Sequence, residues 1–262
     1  MVTFEVDMQI NSLSRTKAKE IRKLVSKKER DNQSLFLAEG EKCVMDMMGA
    51  FIPHIIIVSK DWAERNSKLV SKFQDIVFIG DKRDFEIISS LNSIPDIIAV
   101  FKKTREKDKD SWELNKNALY LLLDEIQDPG NLGTIIRTCD WFGVYDIFAS
   151  KNTVDVWSPK VVQSTMGSLA RVRVHYLDLK NLILANRSLK LYGTVLNGEP
   201  IENFNHVNSG FLLMGNEGRG ISEDMKELID IPLTIPPVNS KYHPDSLNVA
   251  IATAIILSRL SS

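Results

Sequence analysis

Three short stretches of this 262-residue chain hold residue types that could do chemistry. Residues 124–143 read DEIQDPGNLGTIIRTCDWFG. Pro129 and Gly130 make a turn there, and Asn131 is a candidate helix cap. Gly133 removes a side chain from the first helical turn, and Arg137, four residues on, shares its helical face. A guanidinium projecting from such a helix start suits phosphate, because helix N-termini already favour anions. An Arg–Asp pair with Asp124 or Asp140 is an equally consistent structural reading. Residues 212–222 read LLMGNEGRGIS, three glycines within six residues after an apolar run, a backbone able to wrap closely around a ligand. The spacing fits neither GxxxxGK[ST] nor GxGxxG, and Glu217 inside the loop would repel a polyphosphate. A neutral or cationic ligand held by backbone groups fits better; a plain glycine turn is the alternative. Residues 235–249 read IPPVNSKYHPDSLNV. Asp245 or Ser246 can cap a final helix there, and Asn248 in an otherwise apolar helix start must find partners or cost about 1–3 kcal/mol. It could also bond its own backbone.

These stretches need elements that present them. From residue 118 onward, strands are expected at 118–124, 145–149, 172–175, 191–196, 210–215 and 231–235. Helices are expected at 131–142, 159–169, 179–187, 222–229 and 246–260, with Gly143 ending the first and Pro159 opening the second. Such alternation demands a mostly parallel sheet between helices, and ligands of such sheets sit beyond the carboxyl ends of the strands. All three stretches follow a strand. The first hundred residues form a smaller α/β unit, with helices at 14–28, 43–48, 62–73 (capped by Asp61) and 85–91 and strands at 35–38, 55–59, 76–79 and 97–101. The methionines of 43–48 face inward as core filler. Residues 102–113, KKTREKDKDSWE, have almost nothing to bury and mark an exposed connection. The expected organisation is a first domain at 1–101, a charged linker at 102–116 and a second domain at 117–262.

Composition excludes other classes. Hydrophobic residues are 44% and charged residues 26%, as in ordinary globular chains rather than disordered ones. No apolar run approaches the roughly 18 residues of a membrane span, and no export signal opens the chain, so a cytoplasmic location without membrane contact is expected. Two cysteines are too few for a disulfide scaffold or a CxxC metal site, and His54, His175 and His206 lack ligand spacing, so no metal is expected. Lys plus Arg is 33 against 34 for Asp plus Glu, yet residues 11–30 carry eight basic residues against Glu20 and Glu29, a local excess of six. Arg15, Lys17, Arg22 and Lys23 are the candidate contacts to nucleic acid in that segment; a solvated helix face is the alternative.

The ordered set Asn131-Leu-Gly133-x3-Arg137-x4-Phe142-Gly143, Gly215-Asn216-Glu217-Gly218-x-Gly220 and Ser246-Leu247-Asn248-Val249 resembles the three motifs of the SpoU (TrmH-like) RNA 2′-O-ribose methyltransferases. The resemblance runs from about residue 117 to 260. The basic opening segment with FLAEGEKCVMDMM is similar to the L30e-like RNA-binding domain that precedes the catalytic domain in many members. The resemblance implies a SPOUT-type α/β domain with a deep C-terminal trefoil knot, one of the rare exceptions to unknotted folds. It also implies a homodimer, S-adenosylmethionine as methyl donor, and an active site near the dimer interface. Position by position it puts Leu196, Met214, Gly215, Asn216, Gly220, Ile235 and Leu247 at the cofactor. Arg137, Asn131, Glu217, Ser246 and Asn248 take the positions of catalysis and RNA placement. The loop 236–245, with Lys241, Tyr242, His243 and Pro244, looks longer than the family's usual spacing, and Asp245 stands where Glu or Ser is common.

A sulfonium donor agrees with a glycine loop bearing Glu217. Arg137 is expected to orient phosphate and ribose; a role as base would strain a side-chain pKa above about 12. The 2′-hydroxyl separates RNA from DNA, and the basic segment favours structured RNA; the first domain's resemblance to ribosomal-protein-like RNA binders implies rRNA ahead of tRNA. A non-catalytic RNA-binding or ribosome-assembly protein, and a nucleotide-binding kinase or dehydrogenase, are the competing readings.

Overall fold

The structure, a computed structural model, describes residues 10–104, 112, 114–238 and 244–260. Most of the charged connection, and Lys241, Tyr242 and His243, lie outside the described residues. The chain forms two compact units, Met1–Thr104 with Trp157–Ala170, and Arg105–Val156 with Arg171–Ser262. The segment Trp157–Ala170 lies inside the span expected for the second domain, yet it packs with the first unit.

The first unit contains β1 (Asn11–Ser12), α1 (Arg15–Arg22), α2 (Lys27–Gln33), β2 (Leu35–Glu39), α3 (Glu41–Met48), β3 (Pro53–Val58), α4 (Lys60–Arg65), α5 (Ser67–Lys72), β4 (Val77–Ile79), α6 (Lys82–Ile88) and β5 (Ile97–Lys102). The strands lie in the order β1-β4-β3-β5-β2; β5 runs antiparallel to both its neighbours and the other pairs are parallel. Every residue of β2 is buried, as is β5 except Lys102, so layers cover both faces of the sheet centre.

Local polar chemistry moves several expected boundaries. The helix expected at 14–28 breaks at Ser26, whose backbone is extended. Arg30 from α2 is buried and donates to the carbonyls of Leu24 and Val25 at 2.9 and 2.7 Å, satisfying the groups the break exposes. The helix expected at 62–73 divides at Asn66, and its cap is Ser59, whose Oγ accepts from the Trp62 N–H, rather than Asp61. Met47 is buried, but Met45 is exposed, so the methionine cluster does not all face inward. Within Trp157–Ala170, Trp157 packs on Phe36 and Phe51 with ring centroids 4.7 and 5.7 Å away. The helix opened by Pro159, α8 (Pro159–Ser164), stops early as the backbone turns left-handed at Met166 and Gly167, with φ of 49° and 92°.

The second unit continues with β6 (Leu119–Leu123), α7 (Pro129–Trp141), β7 (Asp146–Ala149), β8 (Arg173–Tyr176), α9 (Leu179–Ala185), β9 (Leu191–Pro200), β10 (Gly210–Met214), α10 (Glu223–Lys226), β11 (Ile231–Thr234) and α11 (Val249–Leu260). Its six strands lie in the order β11-β9-β10-β6-β7-β8, and every pairing is parallel. Leu122, Phe148, Leu191, Phe211 and Leu213 form the centre of one core beside this sheet. From β6 the chain winds outward through β7 and β8, then returns on the other side through β9 and β10. The reversal places the carboxyl ends of β6 and β10 side by side, where parallel α/β sheets bind ligands. Those ends carry the first two stretches singled out above.

Candidate active site

β6 ends in Asp124, which is buried and accepts from the Ser222 N–H at 2.9 Å. Glu125 follows with a left-handed φ of 59°, and that turn redirects the chain toward α7. Asp128, not Asn131, caps α7: its Oδ1 accepts from the Asn131 N–H at 2.8 Å, and Pro129 occupies the first helical position. Freed from capping, Asn131 turns its amide to other segments.

Across from it, the turn after β10 closes on itself. Asn216 and Gly220 exchange two backbone hydrogen bonds of 2.9 Å, and Gly220 has φ 71°. A Cβ on Gly215 would strike the backbone of Gly220 and Ile221. The glycines at 215 and 220 thus serve the closure of the loop itself as well as any approach of a ligand. Asn216 braces the turn from within, Oδ1 accepting from the Gly218 and Arg219 N–H groups while Nδ2 donates to the Glu125 carbonyl at 2.7 Å. Arg219 also pairs with the Glu125 carboxylate, whose other oxygen accepts from Asn152 at 2.8 Å.

One chain of side-chain hydrogen bonds links all three stretches. Glu217 accepts from Asn131 Nδ2 at 3.0 Å and from the Gln127 and Asp128 N–H groups at 3.3 Å. Asn131 Oδ1 accepts from Asn248 Nδ2 at 2.9 Å, and Asn248 Oδ1 accepts from the Ala250 and Ile251 N–H groups at 2.9 and 3.3 Å. Asn248 therefore caps α11 in place of Asp245 or Ser246 and reaches across to α7 as well. Burial pushes the Glu217 carboxyl up, but donors led by Asn131 outweigh it and hold the group below its ordinary value. Glu217 stays a carboxylate and acts as a brace between loops.

Arg137 stands apart. It is exposed on α7 and makes no hydrogen bond or ion pair among the described residues. The Arg–Asp alternative fails because Arg171 takes Asp140, at 2.6 to 3.0 Å, while Asp124 serves Ser222. Gly133 is buried, so it lies closer to the core than Arg137 does on the same helix.

Of the residues expected at a cofactor, Met214, Gly215 and Ile235 lie at or just past strand ends. Met214 is buried at the end of β10, and Ile235 is half-buried just past β11. Pairing between β9 and β11 jumps from Gly193 to Glu199, so the intervening residues arch out of the sheet. Leu196 rides on that arch with its side chain 73% exposed, and its carbonyl accepts from Thr234 Oγ1 at 3.0 Å. Ser246 and Leu247 are exposed just before α11. Among the described residues no group of three or more His, Cys, Asp or Glu is placed to hold a metal ion.

The basic candidates of the first unit are mostly committed to that unit. Arg15 pairs with Asp81 at 2.7 Å and with the buried Asp84. Arg22 donates to the Ile88 and Ser89 carbonyls and to Ser90 Oγ at 2.9 to 3.2 Å. Lys17 holds its ammonium 3.6 Å from the centre of the Phe78 ring. Lys23 is exposed and unpaired among the described residues.

Residues Glu125, Gln127, Asp128 and Arg219 belong to this site but were not singled out from sequence; only Asp128 carried a local sign, an Asp immediately before a proline at a helix start.

Comparison with known proteins agrees with this geometry. Residues 118–258 match the family model described as SpoU rRNA Methylase family, and residues 15–99 match the MRM3-like substrate binding domain. Over 257 residues the chain is 34% identical to the 23S rRNA (guanosine(2553)-2′-O)-methyltransferase RlmP of Bacillus subtilis, covering 96% of this chain and 98% of that one. The AdoMet-bound rRNA methyltransferase from Sinorhizobium meliloti superposes with a TM-score of 0.82 at 27% identity, over 96% of each chain. The SpoU methyltransferase AviRb from Streptomyces viridochromogenes, in complex with AdoMet, shares the fold with a TM-score of 0.80 at 23% identity, over 95% of this chain and 97% of that one.

Proposed function

Since the chain belongs to the SpoU rRNA methylase family, we propose that it transfers a methyl group from S-adenosylmethionine to a ribose 2′-hydroxyl of ribosomal RNA. The observation that carries this reading is the Glu217–Asn131–Asn248 chain, which ties three separate segments together beside an exposed Arg137 without a partner among the described residues. A guanidinium left without a protein acceptor on a braced helix is available to a phosphate or ribose oxygen.

The site's residues fit the cofactor. Leu196 from the β9 arch, Met214 and Ile235 at strand ends and Leu247 before α11 offer apolar side chains for an adenine ring. No lysine is present in the 215–220 turn, and its arginine, Arg219, is held by Glu125, so nothing there opposes a sulfonium. When bound, S-adenosylmethionine supplies an electrophilic methyl group. Arg137 orients the target nucleotide, and its positive charge favours the 2′-oxygen as negative charge develops there while the hydroxyl proton passes to solvent water. Holding nucleotide and donor in attack geometry supplies much of the acceleration in such a transfer.

The finer architecture is part of the same proposal. α11 packs on α7, Asn248 ties its start to Asn131, and its end is held by the Val207 N–H to Leu260 carbonyl bond of 3.0 Å and by Arg259 to the Glu202 carbonyl. Anchorage at both ends supports a C-terminal segment threaded into a trefoil knot. Trp141 on α7 is 85% exposed and Ile251 on α11 55% exposed, apolar side chains that a second copy in a homodimer would cover. The first unit is read as an L30e-like domain that binds the RNA, with the enzyme at work in the cytoplasm.

Mapping 2′-O-methyl positions in total RNA with and without the gene tests the reading. One rRNA position should lose its methyl group and regain it with the wild-type gene; an unchanged rRNA map, or loss confined to tRNA, overturns it.

A further inference from the structure

α1 lies against the first sheet and leaves a groove of about 300 Å³ at one side. Its floor is apolar, built by Ile55, Phe78 and Val100 from three adjacent strands, and Ile21 and Leu24 form the wall on the α1 side. That volume is at the lower end for small-ligand sites and has room for one base with its sugar. Apart from Val100, the residues of the groove lie inside the segment that matches a substrate-binding domain.

Its rim carries an uncommon set of polar groups. Lys17 covers the face of Phe78, and Glu20 and Asp75 are exposed with no hydrogen bond or ion pair among the described residues. Two open carboxylates repel a phosphate but accept readily from an exocyclic amino group, whereas the carbonyls that flank the ring N–H of uracil would face them unfavourably. Burial, with Lys102 and Lys17 nearby, pushes the His54 imidazole down, so at neutral pH it offers one donor and one acceptor rather than a charge. Outside the groove, Lys19, Lys23, Lys27 and Lys28 are exposed and unpaired among the described residues.

The geometry points to this groove as a binding site for one unstacked, amino-bearing nucleobase of the RNA substrate. The base stacks on Phe78 and its amino group meets Glu20 or Asp75, while the phosphates stay outside with the lysines. The inference rests on the RNA reading above. Lys17 acts as a placeholder. A base stacked on an aromatic ring binds it more strongly than an exposed ammonium does, so the base displaces Lys17, which then turns to the adjoining phosphate. The arginines of the basic segment, Arg15, Arg22 and Arg30, are spent on bonds within their own unit, and recognition passes to the groove.

The test is fluorescence anisotropy of the full chain with labelled decamers of A, C and U, alongside methyl transfer to rRNA. The A and C decamers should bind at least threefold tighter than U. Phe78→Leu, which keeps an apolar floor, should weaken the A decamer about tenfold. The double variant Glu20→Gln, Asp75→Asn should erase the preference over U. Ultraviolet crosslinking of the unaltered protein, read by mass spectrometry, should mark Phe78 or His54, so the idea stays testable if Phe78→Leu does not fold. Equal affinity for all three decamers, or crosslinks only outside the groove, in a protein that still methylates rRNA overturns the groove alone. A protein that neither binds these RNAs nor methylates rRNA overturns the groove and the functional reading together.

Discussion

Arg15, Arg22 and Arg30 of the first unit's basic segment and Arg137 of the second unit behave in opposite ways. In the first unit Arg15, Arg22 and Arg30 all end on carboxylates or carbonyls of their own unit, so a segment with six excess positive charges spends its guanidiniums on architecture. In the second, Arg137 has no such partner, although its helix is fastened through Asn131 to both other segments of the site. The difference teaches that a run of charge is a poor guide to a binding surface. A single cation without an acceptor, on a backbone held in place, is a better one.

The sharpest way to break this contrast is to remove Arg137. Arg137→Ala should lower methyl transfer to rRNA by about 100-fold or more, as expected when a reacting group loses its positioning. An exposed substitution of this kind changes stability by less than about 0.5 kcal/mol, so the melting temperature should hold. S-adenosylmethionine affinity, measured by calorimetry, should also hold. Equal turnover in the variant would return Arg137 to the solvated surface.

Arg30 should give the reverse result. Arg30→Ala leaves the Leu24 and Val25 carbonyls without their charged donor, a loss of about 2–3 kcal/mol that urea unfolding would record. Lys23→Ala, seven residues earlier and exposed, should leave stability unchanged. If the two substitutions cost the same, the buried guanidinium is not the tether described here.

These roles were unevenly visible in the amino-acid order. Arg137 could be singled out because its meaning is local: a proline, two glycines and a helix start precede it within nine residues. The partners of Arg15 and Arg22 lie 66 to 69 residues away, and no short-range pattern marks them. The caps show the same limit. Asn131, and Asp245 or Ser246, are good capping types, yet Asp128 and Asn248 cap the helices, because tertiary contacts decided where each helix begins. The parallel order of the second sheet followed from alternation of apolar strands and helices. The outward arch carrying Leu196 did not, since it exists only through a register jump against β11. β1 has two polar residues and no apolar period, so it shows only once β4 is in place.

A smaller effect separates exposed from partly buried ion pairs. Burial alone would raise the Asp146 carboxyl, but His175, with Nε2 at 2.9 Å, and Arg173 hold it down at about 2, below the ordinary 3.8. The folded state thus binds this proton less readily than the unfolded chain. The pair's contribution is complete above about pH 4 and is lost as pH falls through about 2. Asp146→Asn should therefore lower stability at pH 7 and flatten its dependence between pH 4 and 2. A slope identical to wild type would show that the carboxylate is not coupled to folding.

The smallest expected change tests whether backbone or charge holds the site loop. Glu125 adopts φ 59°, a conformation that costs a residue with a Cβ about 1 kcal/mol and glycine almost nothing. Its carboxylate returns part of that through Arg219 and Asn152, but Arg219 is 75% exposed, and such pairs contribute about 0–1 kcal/mol. The 2.7 Å bond from Asn216 uses the Glu125 carbonyl, which any residue supplies. In Glu125→Gly the relief and the loss nearly cancel, leaving stability within about 0.5 kcal/mol and methyl transfer within about threefold of wild type. A fall in transfer as large as that expected for Arg137→Ala would mean that the loop depends on the carboxylate, with Arg219 taking part in the transfer itself.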